Sequence, residues 1–210
     1  MSTISTTSIG QRVVFYPGLP ETVDFGESFP PMSEDEFFKL CQRLDPMRIE
    51  RDADGAISIM APTSGDTGGS NFDLAVEFGI WVRQNGTGKG FDSSTGFVLP
   101  NGATRSPDLS WIRNERWATI SSEGRSTFPP ICPDFVVELR SKSDSLKTLD
   151  AKMREYIENG AELGWLIDPV EKNIYIYRPG REVEILNNPA EVSGDPLLAG
   201  FTLDLIGIWG

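Results

Sequence analysis

The segment Asp134-Phe-Val-Val-Glu-Leu139, a short apolar run with one acid near its end, does most to limit the folds open to this chain. Its length and β-branched content suit a central strand covered on both faces. The best helical pattern in the chain follows, over about residues 144–159. Leu146, Leu149, Met153, Tyr156 and Ile157 share one face of it. Ser143 is placed to cap its start, and Gly160 suits the left-handed position just past its end. Gly164-Trp-Leu-Ile-Asp168 and Asn173-Ile-Tyr-Ile-Tyr177 then read as hairpin strands around Asp168-Pro169. Strand, helix and strands in this order predict an α/β domain with a mixed sheet.

The rest of the chain fits around that unit. Ser33-Glu-Asp-Glu36 is a capping box, and Phe37, Leu40, Cys41 and Leu44 follow at helical spacing, so a first helix is expected to end near Asp45-Pro46. Residues 47–60 read as a hairpin, with Ile57 and Ile59 alternating with smaller residues and Asp54-Gly55 as the turn. Gly65, Gly68 and Gly69 predict a loop into a helix over 70–85, with Phe72, Ala75, Val76 and Ile80 as its buried stripe and Asn85-Gly86 as its end. Residues 90–112 are strand-like around a Pro100-Asn-Gly turn. Residues 113–133 are polar and Pro-rich, anchored by Trp117 and Ile120. Leu197 to Trp209 is apolar enough to dock on the domain. Residues 1–31 are Ser/Thr-rich and Pro-punctuated and read as an arm, ordered at most in part by packing of Val13, Val14, Phe15 and Phe29. Residues 32–210 then form one domain, as the length of 210 residues suggests.

Composition narrows the chemistry. The chain has no histidine, which excludes Ser-His-Asp and Cys-His catalysis and any histidine general base. Nineteen Lys+Arg against 31 Asp+Glu give a net charge of −12, which repels membranes and nucleic acid unless the basic residues are gathered in one place. Residues 101–160 hold nine basic and nine acidic residues, so the remainder of the chain carries the whole −12. That stretch permits nucleic acid without forming a basic stripe, and unaided affinity for long duplex is expected to be poor at physiological salt. Cys41 and Cys132 are far apart and read as buried reduced thiols of a cytoplasmic protein. The first residues lack the charged and apolar regions of a signal peptide, and no stretch approaches the ~20 apolar residues of a membrane helix.

Two acids stand out. Asp108 follows Pro107 in Ser-Pro-Asp-Leu-Ser-Trp, and Glu138 sits inside an apolar strand, where an ionised acid is costly unless paired, hydrogen-bonded or metal-bound. The plain alternative is that each lies at a strand end and meets solvent or an arginine. Strand alternation points Arg140 the same way as Glu138, and Lys142 too if the strand continues. On the following helix Lys152 lies three residues after Leu149 and four before Tyr156, at the border of the buried face, while Lys147 and Arg154 lie well outside it. A strand-then-helix unit can bring Glu138 and Lys152 together; otherwise Lys152 is a snorkelling surface lysine.

Asp108 followed about thirty residues later by Glu138-Leu-Arg140 resembles the Asp…(Asp/Glu)-x-Lys signature of the PD-(D/E)XK restriction-endonuclease-like superfamily. Further segments match: Ile49-Glu50, Asp54-Gly55 and Met60-Ala-Pro; Pro133-Asp-Phe-Val-Val-Glu138-Leu-Arg-Ser; Lys152-Met-Arg-Glu-Tyr156; and Gly164-Trp-Leu-Ile-Asp168-Pro. Together they resemble the branch of restriction endonucleases long filed as a domain of unknown function, over about residues 33–208. The resemblance implies a single α/β domain with a restriction-endonuclease-like mixed central sheet flanked by helices. It implies a metal-dependent DNA endonuclease in which Asp108 and Glu138 bind Mg²⁺ or Mn²⁺, Glu50 assists, and Lys152 with Arg140 faces the scissile phosphate. Two departures stand against the pattern. Arg140 holds the place of the signature lysine and cannot accept a proton at neutral pH, and Lys142 stands where the branch usually has proline. A binding module that has lost catalysis, or a small-molecule phosphodiesterase, would share the same fold. Many nucleases of this superfamily act as dimers, so a homodimer is expected, with the Tyr175/Tyr177 hairpin and the Ile208-Trp209 tail as its contact surface.

Overall fold

The computed structural model describes residues 32–44, 47–60 and 62–209, together with the backbone of residues 22–24. The expected arm lies outside the described residues apart from that last segment, where strand β1 (Thr22–Asp24) pairs antiparallel with residues 58–60. Helix α1 (Glu34–Arg43) opens on the anticipated box: Ser33 Oγ accepts the Glu36 N–H at 3.3 Å, and the Glu36 carboxylate accepts the Ser33 N–H at 2.9 Å. Strands β2 (Arg48–Arg51) and β3 (Ile57–Met60) form the expected antiparallel hairpin. Ile49, Ile57 and Ile59 pack with Phe37 of α1 into a small separate core.

Helix α2 departs from expectation at both its start and its facing. It spans Gly65–Asn85, because Ser64 Oγ caps the Thr67 N–H and the glycines form the first turns instead of a loop. Its end is as predicted: Gly86 has φ 69°, the left-handed geometry that glycine adopts without cost. The buried residues are Leu74 and Phe78, with Trp81 and Val82 packed alongside. The predicted stripe of Phe72, Ala75, Val76 and Ile80 is exposed instead. The helix carries apolar residues on two faces, and periodicity alone does not say which one meets the sheet.

Strands β4 (Gly88–Asp92), β5 (Phe97–Val98), β6 (Thr104–Arg105) and β7 (Leu109–Arg113) follow, then the short helices α3 (Asn114–Ala118) and α4 (Ser122–Ser126). Strand β8 (Phe135–Leu139) is buried along its whole length. Helix α5 (Leu146–Glu158) crosses back to β9 (Leu163–Asp168), and β10 (Asn173–Tyr177) and β11 (Glu184–Asn187) complete the sheet. Ser145 caps α5, accepting the Thr148 N–H, in place of the expected Ser143. The tail docks as predicted through β12 (Glu191–Ser193) and β13 (Thr202–Asp204), burying Leu198, Phe201, Leu203, Leu205 and Ile208.

The fold is thus a mixed α/β domain. A six-stranded sheet runs β11-β10-β9-β8-β7-β4, and β8–β9 is its parallel pair, joined through α5 as such a pair must be. A five-stranded sheet, β1-β3-β2-β6-β5, stands beside it. The two-residue strand period divides β8 between two cores. Phe135, Val137 and Leu139 face α2 and the tail, while Val136 and Glu138 face α5. Helix α5 sits close on β9: a Cβ at Gly164 would lie 2.5 Å from Met153 Cε. Cys132 is buried, Cys41 is half-buried, and both are free thiols.

The surface expected to form a dimer is buried at Tyr177 and Ile208 and half-buried at Tyr175 and Trp209. Strand β10 lies inside the sheet between β9 and β11, Tyr177 is buried against α5 with its hydroxyl donating to Asp150, and Ile208 is buried in the tail core.

Candidate active site

The site forms where the β2–β3 hairpin meets the C-terminal end of β8. Glu50 and Arg48 lie two residues apart on β2, so they share a face, and that face looks towards Glu138 and Lys152. Asp108 precedes β7, and its carboxylate is fixed from two sides. Oδ2 accepts the Leu139 N–H at 2.8 Å, and Oδ1 accepts from Arg48 Nη1 at 2.8 Å.

Lys152 stands at the centre. Its ammonium is 2.8 Å from Glu50 Oε1 and 2.9 Å from Glu138 Oε1, so one buried cation bridges two buried carboxylates. Glu50 Oε1 also accepts the Ser106 N–H at 2.8 Å, and Arg105 Nη1 lies 3.6 Å from its Oε2. Arg105 is itself held by Glu155 and Asp52. Tyr156, one turn after Lys152 on α5, donates its hydroxyl to Glu138 Oε1 at 3.0 Å. Both contacts to Glu138 therefore fall on one oxygen.

The charges explain the proton affinities. Burial pushes the Glu138 carboxyl up to about 7, Asp108 and Glu50 push the same way, and Lys152 and Arg48 oppose them. Burial acts on Glu50 as well, but there Lys152, Arg105 and Arg48 outweigh it and hold the carboxyl below its ordinary value. The hydrogen bonds agree with that order, because Glu50 receives a backbone N–H besides its cations while Glu138 receives a phenol. Burial alone would lower the Lys152 ammonium; Glu138 and Glu50 reverse this and hold it above the usual lysine value. Burial, then Glu138 and Glu50, raise the Tyr156 phenol well above the ordinary tyrosine value, so it stays a donor.

Four of the five residues singled out from sequence come together here: Glu50, Asp108, Glu138 and Lys152. Arg140 does not join them. Strand β8 ends at Leu139, and the Arg140 guanidinium turns to the buried Asp168, with Nη1 2.6 Å from Oδ2, and to the Asp144 carbonyl. Sequence reasoning missed Arg48, Arg105 and Ser106 as site residues and read Tyr156 only as a core residue. Arg48 was accessible to it, because the two-residue period that placed Arg140 beside Glu138 equally places Arg48 beside Glu50. Nothing local marks Arg105, which reaches the site through pairing of β6 with β2.

Among the described residues, no group of three or more Asp, Glu, Cys or His is placed to hold a metal ion. The donors that are present are carboxylate oxygens, the hard ligands that Mg²⁺ and Mn²⁺ take. Mg²⁺ binds through only one or two protein carboxylates and keeps several waters. Asp108 and Glu138 suit it in kind, joined through the Asp108–Leu139 hydrogen bond and with Glu138 Oε2 outside the contacts made by Lys152 and Tyr156.

A family model described as putative restriction endonuclease, Uma2, matches residues 34–205. No curated protein matches the chain. Among solved structures, a putative nuclease belonging to DUF820 from Anabaena variabilis ATCC 29413 is similar, with a TM-score of 0.68 over 85% of this chain and 98% of that one. The two are 22% identical in sequence, a likeness of fold.

Proposed function

The chain belongs to the Uma2 family of putative restriction endonucleases, and from that premise we propose that it is a metal-dependent DNA endonuclease hydrolysing phosphodiester bonds. The observation that carries this reading is the convergence of Glu50 and Glu138 on Lys152 at the end of β8, with Asp108 held beside them by the Leu139 N–H and by Arg48. Asp108 and Glu138 would hold Mg²⁺ or Mn²⁺, which when bound polarises a phosphoryl oxygen and acidifies a water.

The chain's own groups supply positioning and charge. Glu50, anchored by the Ser106 N–H, holds the Lys152 ammonium against Glu138, and the Tyr156 hydroxyl donates to the same Glu138 oxygen. Positive charge aimed at the place where a phosphoryl group gains negative charge is the main catalytic lever in such a site. Lys152 and Arg105 are committed to buried carboxylates. Arg48 is the most exposed of the three cations, with its side chain 29% accessible, and it is the one that meets the incoming phosphate. Leaving Asp108 for that phosphate frees Oδ1 as an oxygen donor. Arg140, bound to Asp168, braces the exit of β8 and has no part in the chemistry.

One observation favours a second reading, a nuclease fold that has lost catalysis and recruits a protein partner. Arg48, Arg105 and Lys152 already neutralise the three acids in a closed network. Supercoiled plasmid at low salt separates the two. With Mn²⁺ or Mg²⁺ the protein is expected to nick or linearise it, and Glu138→Ala is expected to lower the rate by about 10²–10³ or more. Cleavage that persists undiminished in Glu138→Ala, or an inert wild-type protein with both metals, defeats the endonuclease reading. Calorimetric titration with Mn²⁺ checks the metal independently of turnover. Weak binding is expected, lost in Asp108→Asn and in Glu138→Gln, and unchanged binding in both variants removes the assignment of these ligands.

A further inference from the structure

Helix α2 has two apolar faces and a use for only one of them. Leu74, Phe78, Trp81 and Val82 pack on the sheet and the tail. On the opposite side Phe72, Val76 and Ile80 recur every four residues and are 68%, 43% and 53% exposed. A helix that is apolar all round is ordinarily covered all round. We propose that this outer face is the interface of a homodimer in which α2 packs antiparallel against α2 of a second copy.

The occupant follows from the pattern of size and charge along the face. The helix is acidic towards its N-terminal half, with Asp66 and Asp73 exposed, and basic towards its end, with Arg83 exposed. A two-fold axis near Val76 sets Val76 against Val76 and places Phe72 over the partner's Gly79 and Ile80. Gly79 accepts this, since nothing lies within 4 Å of the space its side chain would fill. The same axis brings Arg83 opposite the partner's Gly69, between the partner's Asp66 and Asp73. A parallel arrangement would set Arg83 against Arg83 and Asp73 against Asp73, which costs rather than stabilises. The face is therefore complementary to itself in one orientation, as a two-fold interface requires. It replaces the β10 and tail surface that the sequence suggested, and it does not depend on catalysis.

The test is the mass of the full-length chain in solution, by light scattering and sedimentation at high micromolar concentration. The wild type is expected to be a dimer. Val76→Glu, which sets two carboxylates on the axis, is expected to give a monomer with an unchanged circular dichroism spectrum, because the site is exposed in the protomer, and a melting temperature that no longer rises with protein concentration as that of the dimer does. Arg83→Asp is expected to weaken the dimer about tenfold, and adding Asp66→Arg and Asp73→Arg to it is expected to restore the affinity. A monomeric wild type overturns the proposal, including one in which residues 1–31 cover the face. So does a dimer indifferent to Val76→Glu. A charge swap that fails to rescue Arg83→Asp overturns the antiparallel orientation.

Discussion

Lys152→Met is expected to lose activity and stability together. The methionine keeps the packing of the stem but leaves Glu50 and Glu138, both buried, without the cation between them. Breaking a buried ion pair from one side costs about 3–5 kcal/mol, against the roughly 0.5 kcal/mol or less of an ordinary surface change. Denaturant unfolding monitored by tryptophan fluorescence measures the first loss. Plasmid cleavage, in conditions where the variant is still folded, is expected to fall by about 10²–10³. Adding Glu50→Gln to Lys152→Met removes one of the stranded charges, so stability should return in part while activity does not. A Lys152→Met protein as stable as the wild type would mean that the lysine does not hold the two acids together.

Asp134→Ala is expected to separate the two losses. Asp134 is fully buried and accepts from the Arg113 N–H and from the guanidiniums of Arg113 and Arg116, at 2.8–2.9 Å. Its own carbonyl accepts the N–H groups of Glu162 and Leu163, so one residue ties the end of β7, α3 and the start of β9 to the start of β8. The two arginines are partly exposed and can turn to water once the carboxylate is gone. The expected cost is therefore near the lower end for a broken buried pair, about 3 kcal/mol. No hydrogen bond or ion pair joins Asp134 to Glu50, Asp108, Glu138 or Lys152 among the described residues, so the cleavage rate of the folded variant should match the wild type. A variant that keeps its midpoint, or that loses its rate while still folded, contradicts this division of labour.

Local chemistry was legible in the sequence wherever the deciding partner lay within a few residues. The capping box at Ser33, the hairpin about Asp54-Gly55, the stop at Gly86 and the buried strand around Glu138 all appear as read. Glu138 and Lys152 were legible together because a strand and the helix after it fix each other's facing. The face of α2 was not. Its stripe at 72, 75, 76 and 80 is regular, but so is the one at 74, 78, 81 and 82, and only the sheet and the docked tail select between them. The start of α5 was missed by two residues because Ser143 and Ser145 are equally good caps and the loop before them decides. Arg140 was misplaced because alternation was continued past Leu139, where the strand stops and a buried aspartate on β9 captures the guanidinium. Arg105 depends on pairing between β2 and β6, strands more than fifty residues apart, which no local pattern announces.

The bond between Lys152 and Glu50 spans 102 residues of chain and ties helix α5, which packs on the six-stranded sheet, to a strand of the five-stranded one. Glu138, Lys152 and Tyr156 belong to a continuous strand–helix unit inside the large core. Arg48 and Glu50 ride on a hairpin whose own core comprises Phe37, Ile49, Ile57 and Ile59 with a few neighbours. Segments held by so little apolar surface open at lower free energy than the body of a protein. Sub-global opening along this seam would carry Arg48 and Glu50 away while β8, α5 and β9 stay folded, so that heating would abolish the proposed cleavage before the body of the protein melts. Amide protons of β2 and β3 should then exchange with deuterium ahead of those of β8, and the persistence of function would be set by that clasp and not by the stability of the whole.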